Sequence, residues 1–82
     1  MTLELYSEVA LTRDLPEYEL RAGDIATLVD FVSHPSSGEE GCVLEVFNAV
    51  GESLAVIAVP TSAVEILRAD EILTVRSLAK TG

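Results

Sequence analysis

Basic residues are scarce in this sequence. Five of them, Arg13, Arg21, Arg68, Arg76 and Lys80, stand singly among fourteen acids, and the formal net charge is −9. Binding a polyanion needs clustered lysine and arginine that release counterions, so nucleic acid is a poor partner for this chain. A basic protein partner, or none, suits the charge better. Cysteine is nearly missing as well: Cys42 alone cannot build an internal disulfide framework, and nothing here requires an oxidising compartment. The longest apolar run, Leu54 to Pro60, is far short of the roughly 20 residues of a membrane span. No basic segment followed by an apolar one opens the sequence, where Glu4 and Glu8 interrupt, so no secretory signal is read there and the expected location is the cytoplasm.

Residues that carry chemistry are equally few. His34 and Cys42 flank a loop holding Glu39 and Glu40, where a Cys-His nucleophile pair or a metal site can be imagined, but the spacing matches no defined site. A buried cysteine at a strand start and a solvated histidine account for the same residues. The adjacent carboxylates Glu39-Glu40 and Asp70-Glu71 sit beside turns or element ends, where charge is simply hydrated. Gly23, Gly38, Gly41 and Gly51 are isolated, and none opens a helix with a lysine, so no phosphate cradle is present. No catalytic, cofactor-binding or metal-binding residues are expected, and the chain does not read as an enzyme. Four aromatics, Tyr6, Tyr18, Phe31 and Phe47, are too few for a groove that grips proline-rich peptides.

What is present is an apolar chain with frequent punctuation. Hydrophobic residues make up 49% of 82 residues, enough for one folded domain with a small core. Pro16, Gly23-Asp24, "SHPSSGEEG", Val50-Gly51-Glu52 and Pro60 divide short segments rich in valine, isoleucine and leucine. That pattern predicts an all-β fold: a small, partly open barrel of about five strands over residues 8–68, followed by a C-terminal extension at 70–82. In "DIATLVDFVS", alternation sets Ile25, Thr27, Val29 and Phe31 against Ala26, Leu28, Asp30 and Val32. In "CVLEVFN", Leu44 and Val46 face one way, and Val43, Glu45 and Phe47 the other. "NAVGES" supplies a hairpin turn.

"SLAVIAVP" is apolar on both faces, since Leu54, Val56 and Ala58 alternate with Ala55, Ile57 and Val59. Something must cover the outward one, either the C-terminal segment or a second subunit. Val43, Glu45, Phe47, Ala55, Ile57 and Val59 are therefore the candidate interaction surface, for self-association as a homodimer or for a protein partner. After Pro60, Ser62 and Glu65 have capping-box spacing, and one helical or 3-10 turn near Thr61–Glu65 is expected before a last strand. Residues 70–79 fit both a helical and a strand period, with the β-branched Thr74 and Val75 favouring a strand.

Taken in order, Val9-Ala10-Leu11, Leu15-Pro16, Gly23-Asp24, Ala26-Thr27-Leu28-Val29, Leu44-Glu45-Val46 and Gly51-Glu52 resemble a family of short, mostly bacterial proteins, domain of unknown function 4926. The resemblance spans about Val9 to Leu67 and implies an SH3-like small barrel. Two departures stand out. Ala26 replaces a glycine of the pattern, so that position does not demand a positive φ. The loop at 33–41 and the tail after Arg68 are both longer than the pattern. The Gly-Asp-x-x-Thr entrance also looks like barrels that bind RNA through basic loops, which are missing here. By analogy the family implies an antitoxin-like or immunity-like role beside a basic protein partner.

Overall fold

A computed structural model describes residues 3–33 and 39–78 of the chain, so His34 and with it the imagined Cys-His pair lie outside the described residues. Five antiparallel strands form one sheet: β1 (Glu8–Leu11), β2 (Ile25–Val32), β3 (Gly41–Phe47), β4 (Ser53–Pro60) and β5 (Val64–Ile66). Their order is β4-β3-β2-β1-β5, so the last strand returns to lie beside the first. This is the path of an SH3-like barrel left partly open. The only helical elements among the described residues are two 3-10 turns, Pro16–Tyr18 and Thr61–Ala63. None is long and apolar enough to cross a membrane.

The core follows from the pairing. Leu28 lies opposite Leu44, and Leu44 opposite Ile57, so three branched side chains stand in a row across β2, β3 and β4. Leu28, Leu44 and Cys42 are 0% exposed, and Val9 and Leu11 join them from β1. Each such burial contributes about 1.5–3 kcal/mol relative to exposure, which a domain of this size needs.

Turn chemistry fixes the registers. Asn48 closes the β3-β4 hairpin: its Oδ1 accepts from the backbone N–H of Val50 (3.1 Å) and of Glu52 (2.9 Å), while its Nδ2 donates to Glu52 Oε1 (2.8 Å). Gly51 holds φ +88°, the left-handed conformation that a side chain disfavours. At the other hairpin end, Thr61 donates its N–H and hydroxyl to the Glu40 carbonyl (3.0 and 2.7 Å), and the Ser62 N–H donates to the Glu39 carboxylate.

Three local expectations are corrected. A bulge after Leu28 leaves Val29 as an extra residue in β2, so Phe31 pairs with inward Cys42 while Asp30 pairs with outward Val43. The two-residue alternation therefore breaks in mid-strand. The spacing of Ser62 and Glu65 forms no capping box, because Thr61–Ala63 ends after one turn with Pro60 before it, and Glu65 already belongs to β5. Ser62 Oγ instead accepts from Arg13 Nη2 at 2.7 Å. Residues 71–78 form neither the strand nor the helix their sequence allows. They run as a strap across the β1-β2 end of the sheet, where they find no ladder partner.

Candidate functional site

Two features stand out once the faces of the sheet are assigned. The first is the outer surface of β3 and β4. Cross-strand pairs Val43–Ala58 and Glu45–Val56 point away from the core, as does Phe47 beside Ser53. Phe47 is 41% exposed and Val56 61%, so two large apolar side chains stand in solvent on neighbouring strands. Leu54, the extra residue of a second bulge in β4, adds a third.

The structure thus keeps half of the expected surface and moves the other half. Val43, Glu45 and Phe47 lie together on the outer face. Ala55, Ile57 and Val59 instead pair with inward Val46, Leu44 and Cys42, and the last two are buried in the core. The bulge at Leu54 is the reason. Continuing the Phe47–Ser53 pair without it would set Glu45 against Ala55 and Val43 against Ile57, with Val59 on the same face opposite Gly41. One inserted residue turns β4 over. Val56 and Ala58 take the places assigned from sequence to their neighbours.

The far edge of β4 is open as well. No strand among the described residues pairs with it, and its eight residues, Ser53 to Pro60, carry no charge. Natural sheets blunt such edges with lysine, inward charge or cover. Here the terminal Pro60 and the bulge at Leu54 do so at the two ends, and the stretch between them is unprotected.

The second feature is the Gly23-Asp24 turn. Residues 12–24 leave β1, bridge Leu15 to Leu20, and return through Gly23 at φ +92°. The Asp14 carboxylate accepts the Ala22 N–H (2.9 Å) and the Asp24 carboxylate the Arg21 N–H (2.7 Å), so the loop's own acids brace it. Asp24 then receives a guanidinium from the strap. Arg76 Nε donates to Oδ1 at 2.8 Å and Nη2 to Oδ2 at 2.5 Å, and Nη2 also donates to the Glu19 carbonyl at 3.0 Å. The side chains of Asp24 and Arg76 are 19% and 26% exposed. The Arg76 hydrogen bond, opposed by burial and aided by the Arg21 N–H, holds the Asp24 carboxyl below its usual range.

The strap partly answers what covers the sheet. Ala10 faces away from the core cluster yet is only 6% exposed, and the strap residues line a groove of about 980 Å³ together with Ala10, Leu20 and Ile25. The strap thus lies beside β1, β5 and the first residue of β2. The exposed residues of β3 and β4, apart from the hairpin residue Ala49, do not line that groove.

The remaining polar candidates are structural. Cys42 is fully buried, and burial pushes its thiol up, with Glu40 adding to the effect, so a thiolate is disfavoured. Glu71 accepts the Arg68 N–H (2.6 Å) and Asp70 the Arg68 Nε–H (3.2 Å), a local brace at the base of the strap. Among the described residues no group of three or more histidine, cysteine, aspartate or glutamate side chains is placed to hold a metal ion.

The model of one family, domain of unknown function 4926, matches residues 5–72. The chain belongs to that family. The match extends beyond both ends of the resemblance traced from Val9 to Leu67, and it contains all five strands and the Gly23-Asp24 turn. Arg76 lies beyond it. No curated protein and no solved structure matches the chain. Within this member of domain of unknown function 4926, the two sequence signals missed are Val56, hidden by the bulge, and Arg76, whose partner is 52 positions away.

Proposed function

We propose that this member of domain of unknown function 4926 is a non-catalytic interaction module that pairs with a second copy of itself through the β4 edge and the outer face of β3 and β4. One observation supports this reading above the others. A long, uncharged edge strand stands beside exposed Phe47, Leu54 and Val56, and the strap does not reach them. Apolar area of this kind, left in water, favours association at about 25 cal/mol per Å² removed.

A second copy suits the patch because its chemistry is self-complementary. Antiparallel pairing of two β4 edges about a two-fold axis satisfies backbone donors and acceptors on both, and lays each outer face beside the other. Glu45 is the one acid among these outward pairs, so the net charge of −9 resides largely elsewhere. Repulsion between copies is then screened by salt, whereas the apolar contact is not.

Light scattering on the full chain tests the proposal. The expected result is a dimer at about 50 μM in 0.15 M salt, the usual screening regime, that Val56→Asp and Phe47→Asp each convert to a folded monomer by circular dichroism. A monomeric wild type at that concentration, or a dimer unchanged by both substitutions, refutes it.

A further inference from the structure

The Gly23-Asp24 turn has the form of an arginine receptor whose resident ligand comes from the same chain. Both carboxylate oxygens and the Glu19 carbonyl converge on one guanidinium, the two-pronged geometry that arginine satisfies and lysine does not. The receptor's own residues all fall between Asp14 and Asp24, and the Arg21 N–H holds the Asp24 carboxylate from within the loop while Arg76 of the strap holds it from outside.

The ligand, by contrast, is lightly held. Arg76 supplies the side-chain hydrogen bonds from the strap to the Gly23-Asp24 loop, while Ile72 and Val75, both just ahead of it, are 87% and 94% exposed. An apolar segment that packed for its own stability would bury those two side chains. The family match also ends at Ile72, so the receptor lies inside the region shared with the family and the plug outside it.

We propose that the Gly23-Asp24 turn is a docking site for an extended segment of a basic protein, read through one arginine, and that Arg76 occupies it until such a segment competes. The charge around the turn favours this partner: residues 14–24 hold four acids, Asp14, Glu17, Glu19 and Asp24, against Arg21 alone. Approach of a basic chain is steered by that field, and the fork on Asp24 then selects arginine within it. This surface is separate from the β4 edge, so either can fail without the other.

Fluorescence polarisation on the full-length protein tests it, with a labelled peptide of sequence Ile-Leu-Thr-Val-Arg-Ser-Leu, capped at both ends, and its citrulline twin as probes. Emptying the receptor with Arg76→Ala is expected to tighten arginine-peptide binding by about ten-fold or more, since a site occupied nine-tenths of the time binds that much more weakly. The citrulline peptide binds Arg76→Ala at least about ten-fold more weakly, having lost the charge-assisted bonds. Asp24→Asn, verified as folded by circular dichroism, removes the difference between the two peptides. Equal affinity of wild type and Arg76→Ala for the arginine peptide overturns the proposal, as does binding by Asp24→Asn that still prefers arginine. A wild-type dimer that both Arg76→Ala and Asp24→Asn dissociate would assign the turn to the strap of a second copy and overturn the separate partner.

Discussion

Replacing Leu44 by alanine removes the middle member of the row Leu28–Leu44–Ile57, at a site that is 0% exposed and flanked by strands on both sides. Its neighbours are held in ladder register and cannot close inward, so most of the vacated space stays as a cavity. Leucine-to-alanine changes of this kind cost about 2–5 kcal/mol, and the rigid surroundings place this one at about 3–4. A domain of 82 residues has a total stability of about 4–12 kcal/mol, so the loss is a large share of the whole. At about 4–8 °C per kcal/mol, the midpoint falls by ~12–24 °C for a 3 kcal/mol loss.

The assay is far-ultraviolet circular dichroism during urea unfolding, because the chain has no tryptophan to report by fluorescence. Val56→Ala, on the outer face and 61% exposed, is the control. In a monomer it costs under about 1 kcal/mol. If two copies pair through that face, the cost of Val56→Ala grows with protein concentration, while the extra loss at Leu44 does not. A Leu44→Ala loss below about 1 kcal/mol, or one no larger than that of Val56→Ala in dilute solution, refutes the assignment of faces on which the proposed pairing through β4 is built.

Acid titration tests the Asp24 link. Its folded carboxyl lies below the ordinary value of 3.8, so the stabilisation is fully present above that pH and is lost as pH falls through the lowered value. Urea midpoints at pH 6 and pH 3 are expected to differ less in Asp24→Asn than in wild type, and an equal difference would show that the pair contributes nothing. Gly51→Ala is expected to cost about 1 kcal/mol in the same urea assay, because the added carbon meets nothing within 4 Å and the penalty is purely that of φ +88°. Cys42 is expected to resist iodoacetamide at pH 8 in native buffer and to react at once in urea, since its thiol is buried and its ionisation disfavoured. Native labelling at the unfolded rate, followed by mass spectrometry, would contradict that placement.

Much of the fold is legible in the sequence. Gly23 and Gly51 mark turns through left-handed conformations that few other residues adopt, Pro60 marks the end of β4, and the alternation of "CVLEVFN" separates core Leu44 and Val46 from outward Phe47. Bulges are what the pattern cannot announce. Val29 and Leu54 are ordinary strand residues, yet each shifts its strand by one place, and in β4 both faces are apolar, so no polar residue betrays the change. The strap escapes for another reason. Its Thr74 and Val75 suit a ladder, but β1, the strand beside it, is already paired on both sides, to β2 and to β5. Arg76 gives no signal in sequence because its carboxylate is distant along the chain, even though the Gly-Asp turn that holds it is conspicuous.

The position of β5 carries a consequence for how the molecule comes apart. Strands β2, β3 and β4 are joined by consecutive hairpin connections, whereas β1 is closed on its other side only by the three-residue β5, through pairs such as Val9–Ile66 that span most of the sequence. Contacts between distant positions form late and open early, because the loop entropy they oppose is large relative to their number. The meander β2-β3-β4 is therefore the persistent unit. The first partial opening peels β5 away and bares the edge of β1, with Val9 and Leu11 behind it, so a transiently opened molecule offers a second sticky edge at the end of the sheet opposite β4. Exchange of β5 between two such molecules would restore every lost pair, a route to domain-swapped species that heating favours.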